Sequence, residues 1–291
     1  MTEPLGLIAG QGALPILVAR GMRQAGRRVC CVGLRDQFDP ALRAECDAFH
    51  VAGVVQLGKW IRLLRRWDVD DAIMVGAVTK TRVHDPLRLI RQLPDWRAIR
   101  VWYGRLRHDR RNAAVLAAVA DELARNGITL IDSTHYIPDH LASVGVMTDV
   151  QPTAGQTADI AFGFALLAQT VELDIGQSMV VRDRDVITVE AVEGTDRMID
   201  RAGELCRSKG WTLLKTSKSD HDMRADVPTI GVGTVERVQR AGGGCIAVGA
   251  GRVILVDRPA VISAANRAGI AIVGVDINAL PATVGGGPAS S

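Results

Sequence analysis

The first half of the chain alternates between short apolar runs and longer segments with helical spacing. Strands are indicated by the runs LGLIAG, RVCCVGL, AFHVAGV, DAIMVGAV and ITLIDS. Helices are indicated between them by LPILVARGMRQAG, by LGKWIRLLRRW, and by RNAAVLAAVADELARNG, which ends at Gly127 as a C-cap would. Strands that alternate with helices predict a Rossmann-like parallel sheet covered on both faces.

A loop-like segment from His140 to Thr157 changes the pattern and predicts a domain boundary. A helix, TADIAFGFALLAQTVEL, follows it, and SMVVRDRDVITVEAVEG then reads as two paired strands with a turn at Arg182–Asp185. This hairpin predicts a second α/β domain with a mixed sheet. The predicted layout is an N-terminal Rossmann-like domain, a linker, a C-terminal catalytic domain and a disordered tail, over residues 1–139, 140–157, 158–280 and 281–291.

Composition narrows the class of protein. The chain has 291 residues, 47% of them hydrophobic, which is enough for one large core or two ordinary ones. Its net charge of +3 does not demand a nucleic-acid partner. The N-terminus has no signal-peptide pattern, and the longest apolar run, Ile160–Ala168, is too short to span a bilayer. Five cysteines without metal-type spacing indicate reduced, structural cysteine in a cytosolic protein: Cys30, Cys31, Cys46, Cys206 and Cys245.

A glycine turn, Gly10-Gln11-Gly12, follows the first strand and opens the first helix. Glycines there let a ligand approach the backbone, and the helix start offers N–H groups to an anion. Pro15 stands near the place of the third glycine of a dinucleotide fingerprint, which disfavours a Rossmann oxidoreductase. A phosphate contact and a plain tight turn both remain open.

The stretch Arg82–Arg111 carries nine arginines with Trp96, Trp102 and Tyr103 between them. Solvated amphipathic helices are the favoured interpretation. A basic face resting on anionic lipid headgroups is the sharper one, and it would place the protein peripherally on a membrane. A nucleic-acid surface is weaker, because no nucleic-acid-binding pattern accompanies the arginines.

Two carboxylate-and-glycine segments, LDIGQ and VEGTD, flank the predicted hairpin. Glu193 and Asp196 could coordinate a divalent ion or accept ribose hydroxyl groups. Thr195 and Asp196 could equally cap the following helix, and taken alone capping is the better interpretation.

The segment KTSKSDHDMRADVPTIG crowds charges together before an apolar stop. Lys215 and Lys218 can offer ammonium groups to phosphate oxygens, and Asp222 and Asp226 are hard ligands suited to magnesium. If the segment is extended, Asp222, Arg224 and Asp226 point to one face. A solvated loop is the alternative.

Six segments in this order resemble the UDP-2,3-diacylglucosamine pyrophosphatases of lipid A biosynthesis, in the family unrelated to metallophosphoesterases: GLIAGQGALP, LGKWIRLLRRWDVDDAIMVGAVTK, LDIGQSMVV, AVEGTDRMI, DMRADVPTIG and AGRVILVDRPAVISAANRAGIAIVGV. The resemblance implies two α/β domains with substrate bound in the cleft between them, and a homodimer. It also implies magnesium-assisted attack of water on the pyrophosphate of UDP-2,3-diacylglucosamine, a lipid-linked UDP-sugar. The products would be UMP and 2,3-diacylglucosamine 1-phosphate.

The family's essential aspartate, in its R-x-D-x-P-T-x-G pattern, matches Asp226. With it we expect Arg224 and Lys215 to be catalytic, stabilising charge on the phosphoryl oxygens, and Asp226 and Asp222 to hold Mg²⁺ or another divalent cation. The matching substrate-binding positions are Gly10, Gly12, Ala13, Leu14, Gln177, Glu193, Thr195, Asp196, Lys218 and Thr229.

The chain departs from the family pattern in three places. After VGAV it reads TKTRV, where relatives often have a Lys or Asn before the valine and an Arg-Pro after it. Many relatives carry Lys-Pro-x-Gln-Asp where this chain has KSDHD, and the family's G-D-D-x-L-L appears here as HDRRNAAVL. Loop shape and acyl preference could therefore differ. The alternative function is a non-catalytic nucleotide-sugar or lipid-binding protein at the membrane surface, with no need for Asp226.

Overall fold

The computed structural model describes residues 2–78, 94–104, 112–218, 223–224 and 227–279. The chain forms two compact units. The first contains residues up to Pro138 together with Met223 and Arg224, and the second contains the other described residues. The bounds of the predicted domains, linker and tail stay predictions, and residues 281–291 of that tail lie outside the described residues.

The first unit is built on a parallel sheet, as predicted. Its strands are β1 (Pro4–Ala9), β2 (Arg28–Leu34), β3 (Ala48–Ala52), β4 (Asp71–Val75) and β5 (Thr129–Leu130). They lie in the order β3-β2-β1-β4-β5, and the neighbouring pairs are parallel. β1 is central and buried from Leu5 to Ala9, because helices cover both faces of such a sheet and a continuous apolar run suits that position.

The described helices of this unit are α1 (Leu14–Gln24), α2 (Leu57–Arg66), α3 (Trp96–Gly104) and α4 (Asn112–Ala124). α2, α3 and α4 share one apolar core with Ile8 and Val32. α1 packs on β1 and β2, whose alternate residues Leu7 and Cys31 point to the opposite face. The sheet is therefore covered on both sides.

An ion-pair cluster links α3 to α4. Glu122 of α4 is 1% exposed and accepts hydrogen bonds from Arg97 at 2.8 Å and Arg100 at 3.1 Å. Burial raises the pKa of Glu122, but these hydrogen bonds and charges outweigh burial and leave the pKa below its usual value. The stabilisation is therefore present at neutral pH and is lost as pH falls through the lowered pKa.

The second unit contains a mixed sheet, also as predicted. The strands of this unit are β6 (Gly145–Val146), β7 (Ser178–Arg182), β8 (Asp185–Val189), β9 (Trp211–Lys215), β10 (Thr229–Ile230), β11 (Gly243–Gly249), β12 (Ile254–Leu255) and β13 (Ala271–Val275). Six of them lie in the order β6-β13-β11-β9-β7-β8, in which β9, β11 and β13 are parallel and the outer pairs are antiparallel. A separate two-stranded parallel sheet pairs β10 with β12.

The expected hairpin turn lies between β7 and β8. Arg182 pairs with Asp185, and the two residues between them, Asp183 and Arg184, have φ angles of 53° and 59°. Two consecutive left-handed residues form a type I′ turn, whose twist matches that of the strands. The short strand β6 lies inside the segment that is predicted to be a loop. The sequence does not indicate this strand, because two residues are too few to show an alternation of apolar and polar positions.

The helices of the second unit are α5 (Ala154–Glu172), α6 (Thr195–Leu205), α7 (Val232–Ala241) and α8 (Arg258–Ala268). α6, α7 and α8 pack around Trp211, while α5 covers a second cluster with Phe164 and Leu214. All five cysteines are free, and burial raises the pKa of Cys245 to about 12. Within the described residues, each helix is too short or too polar to cross a membrane.

Candidate functional site

The glycine turn of the first unit lies where β1 and β4 end side by side. The Gly10 N–H donates to the Val75 carbonyl at 2.8 Å, and Gln11 and Ala77 exchange hydrogen bonds at 2.8 and 3.1 Å. A Cβ added at Gly10 would stand 2.6 Å from the Gly76 carbonyl oxygen, so the two backbones cross too closely for a side chain.

The other residues of the turn are open to a ligand. Gly12 has a φ of +98°, and no atom of the described residues outside its immediate chain neighbours lies within 4 Å of where its Cβ would be. Ala13 is the N-cap residue of α1, and no side chain caps that helix start. Leu14 begins α1. β1 and β4 flank the point where the strand order reverses, which is where open α/β sheets bind ligands.

In the second unit four polar side chains lie together at one end of the mixed sheet. Lys215 is the last residue of β9 and lies opposite Ser178, the first residue of β7. Glu190 follows β8, and its N–H donates to the Ser178 carbonyl at 2.9 Å. Thr195 begins α6. We call Ser178, Glu190, Thr195 and Lys215 the Lys215 cluster.

Hydrogen bonds connect the Lys215 cluster through one hydroxyl group. Lys215 Nζ donates to Thr195 Oγ1 at 2.9 Å, and Thr195 Oγ1 donates to Glu190 Oε1 at 3.0 Å. Ser178 Oγ lies 3.4 Å from the same threonine oxygen. The cluster therefore places a cation and a carboxylate on opposite sides of one hydroxyl.

The cluster is buried. Lys215 and Glu190 are each 6% exposed, and Ser178 is fully buried. Glu190 Oε2 has no hydrogen-bond partner among the described residues. A buried charge is costly unless it is paired and hydrogen-bonded, so this arrangement is a specific one rather than a solvated surface.

Thr195 does not cap its helix, so the capping interpretation is wrong for this residue. The N-cap residue of α6 is Gly194, with a φ of 83°, and no side chain caps the helix start. The threonine hydroxyl is used instead by Lys215 and Glu190. Asp196 lies in the first turn and pairs with Arg237 at 3.5 Å.

The other predicted substrate residues of this unit lie in four places. The Gln177 carbonyl accepts from the Thr216 N–H at 3.0 Å, next to the cluster. Glu193 pairs with Arg201, and its own backbone N–H together with the arginine charge lowers the pKa of Glu193. Lys218 pairs with Asp174 at 2.8 Å, and Thr229 lies in β10.

Not all of the predicted catalytic and metal-binding residues are among those that the structure describes. Asp222 and Asp226 lie outside the described residues. Met223 and Arg224 form a turn, and the Met223 carbonyl accepts from the Ser133 N–H and hydroxyl at 2.9 and 2.8 Å. The condition of an extended segment is therefore not met at these two residues, which turn where Ser133 binds the backbone.

The described residues do not form a metal site by themselves. No group of three or more His, Cys, Asp or Glu side chains within them is arranged to hold a metal ion. The donors present, Glu190 and Glu193, are already bound to Thr195 and Arg201. These two carboxylates therefore do not form a site for a resident divalent cation.

Sequence reasoning missed Ser178 and Glu190. Counting back from the two-residue turn pairs Ser178 with Val189, which would turn Glu190 away from Lys215. A register shift between Val180 and Val181 instead pairs Met179 with Val189. An irregularity of this kind has no reliable sequence signal, so only the unusual polarity of Glu190 at the end of an apolar strand could have pointed to it.

The fold and these two sites define a two-domain α/β protein. Family models of the LpxI N-terminal domain and the LpxI C-terminal domain match residues 4–140 and 143–273. The chain is 34% identical over 282 residues to a Caulobacter vibrioides protein named UDP-2,3-diacylglucosamine pyrophosphatase LpxI, covering 94% of this chain and 97% of that protein. The chain belongs to the LpxI family.

The close crossing of Gly10 over Gly76 predicts that Gly10→Ala lowers the free energy of unfolding by roughly 1–3 kcal/mol, since the added methyl meets backbone rather than a movable side chain. Urea unfolding measures the change. Gly233→Ala is the control, because it adds the same methyl where no described residue beyond its own helix backbone and chain neighbours comes within 4 Å. Equal unfolding midpoints for both variants would contradict this description of the turn.

Proposed function

We propose that this protein hydrolyses the pyrophosphate bond of UDP-2,3-diacylglucosamine to UMP and 2,3-diacylglucosamine 1-phosphate. Water adds to one phosphorus, and the phosphorus–oxygen bond of the anhydride breaks with its electrons on the departing phosphate. The observation that carries the proposal is the buried Lys215 cluster in a chain that matches the Caulobacter vibrioides pyrophosphatase over nearly all of its length.

Lys215 supplies the charge that this reaction needs. A diphosphate resists nucleophiles because its oxygens are negative, and an ammonium group held in place lowers that barrier as charge shifts to the leaving oxygen. The low exposure of Lys215 strengthens this effect, since water screens a buried charge less. Arg224 is proposed to contribute a second positive charge.

The glycine turn binds part of the nucleotide sugar in this proposal. Gly12 leaves open space at the backbone, and the uncapped start of α1 offers N–H groups to a phosphate or hydroxyl oxygen. Gln177, Glu193, Asp196, Lys218 and Thr229 are proposed to contact the remainder of the substrate.

We also propose that turnover requires Mg²⁺ or another divalent cation, with Asp222 and Asp226 as its ligands. When bound, such an ion neutralises phosphate charge. The support for this part is the resemblance and the carboxylate chemistry of the two residues.

Asp226→Ala is expected to abolish UMP release from UDP-2,3-diacylglucosamine by the purified protein, because it removes the matched essential carboxylate. EDTA is expected to stop the wild-type reaction, and added Mg²⁺ to restore it. The matched control is Asp185→Ala, which removes an exposed aspartate of the hairpin. If Asp226→Ala releases UMP at the wild-type rate, this residue has no part in the mechanism. If the wild-type protein keeps its activity in EDTA, the reaction does not require a divalent cation. If the wild type binds substrate without releasing UMP, the non-catalytic alternative is correct.

A homodimer is proposed on the basis of the resemblance. Sedimentation velocity of the full chain is expected to give one species of twice the 31.2 kDa chain mass. A single species of the chain mass at micromolar concentration would contradict it.

Membrane contact is proposed through the stretch Arg82–Arg111, at the inner face of the cytoplasmic membrane. Residues 82–93 and 105–111 lie outside the described residues, but α3 is described. Trp96 and Tyr103 are 76% and 71% exposed, and their spacing places them on one side of the helix. Exposed aromatics beside arginines favour the headgroup region of an anionic bilayer, where a lipid substrate would be met.

Replacing both Trp96 and Tyr103 with alanine is expected to weaken binding to vesicles of phosphatidylglycerol and phosphatidylcholine by roughly tenfold, because each ring buries apolar area in the interface. Co-sedimentation with the vesicles measures it. Leu205→Ala, at a residue that is 64% exposed in the second unit, is the control. Unchanged binding of the double variant, or binding that is insensitive to salt, would exclude this surface.

A further inference from the structure

We propose that Glu190 is a positioning residue for the hydrolysis. It acts through the Thr195 hydroxyl to fix the direction of the Lys215 ammonium group. The inference rests on the proposed function and names a residue that neither the resemblance nor the charge cluster around Asp226 had singled out.

The chemistry of the three groups determines the direction of each hydrogen bond. An ammonium can only donate and an ionised carboxylate can only accept, whereas a hydroxyl has one proton and two lone pairs. Thr195 therefore gives its proton to Glu190 Oε1 at 3.0 Å and turns a lone pair to Lys215 Nζ at 2.9 Å. Without the carboxylate the hydroxyl could rotate and lose its alignment with Lys215.

The main chain of Glu190 is held by its neighbours. The Glu190 N–H donates to the Ser178 carbonyl at 2.9 Å, which ties it to the strand opposite Lys215. A Cβ at Gly176 would stand 2.1 Å from the Glu190 carbonyl oxygen, so the neighbouring loop presses against this residue. The main chain of Glu190 is therefore fixed before any substrate binds, and this places its side chain beside Thr195.

A purely structural role explains the carboxylate less well. Glu190 is 6% exposed, and its Oε2 has no hydrogen-bond partner among the described residues. A buried polar atom without a partner is unfavourable and needs an explanation, and a functional role is one such explanation. Holding a buried lysine through an intervening hydroxyl supplies that reason.

A double-mutant cycle tests the inference. Glu190→Gln is expected to lower kcat for UMP release by roughly tenfold with little change in KM, because the loss of a charged hydrogen bond lets the ammonium group drift. In a Lys215→Met background the same substitution is expected to change kcat by less than about twofold, since the group it positions has gone.

Thr195 supplies a second arm that does not depend on the folding of a Glu190 variant. Thr195→Val is expected to lose as much kcat as Glu190→Gln, and Thr195→Ser to retain most of it, because only the hydroxyl matters. Thr188→Val is the matched control, since Thr188 is a 3% exposed threonine whose hydroxyl contacts Met198 and not Lys215.

Three results overturn the inference. The first is that Glu190→Gln lowers kcat by the same factor with and without Lys215. The second is that Thr195→Val keeps the wild-type kcat, and the third is that Thr195→Val and Thr188→Val lower kcat equally. Thermal unfolding of each variant separates lost folding from lost positioning. If the wild type releases no UMP, the proposed function is wrong and the inference goes with it. If the wild type is active and the losses are independent, the inference alone is wrong.

Discussion

Burial of the Lys215 ammonium group at the end of a strand is the constraint on which the second unit's site depends. An unpaired buried charge is very costly, so hydrogen-bonding groups have to meet it there. The start of α6 brings Thr195, and the end of β8 brings Glu190. Two elements thus bring the hydrogen-bonded chain to the charge at the end of β9, and in the proposed function that charge meets the phosphate oxygens of the substrate.

In the first unit the constraint is the close approach of two backbone segments, and it is met by glycines. At the ends of β1 and β4 two backbones approach so closely that Gly10 and Gly76 cannot carry side chains. The result is a turn that offers backbone groups rather than charges. In the proposed function, these N–H groups bind sugar or phosphate oxygens of the nucleotide.

Much of the fold could be predicted from the sequence, because long apolar runs and helical periods report burial directly. The parallel sheet, the mixed sheet and the turn at Asp183 and Arg184 belong to this class. The arrangement of the site could not be predicted in the same way. The register shift that brings Glu190 towards Lys215 and the use of Thr195 as a bridge rather than a cap both depend on packing between distant segments. The pattern of residues within one segment does not indicate contacts of this kind.

The most direct test of the account is the initial rate of UMP release from UDP-2,3-diacylglucosamine by purified wild type and Lys215→Met, at equal concentrations of folded protein. We predict release by the wild type and a rate at least about a hundredfold lower for the variant, because a preorganised charge is missing in the transition state. Equal rates for the two proteins, or no release by either, would contradict the central role of the buried lysine.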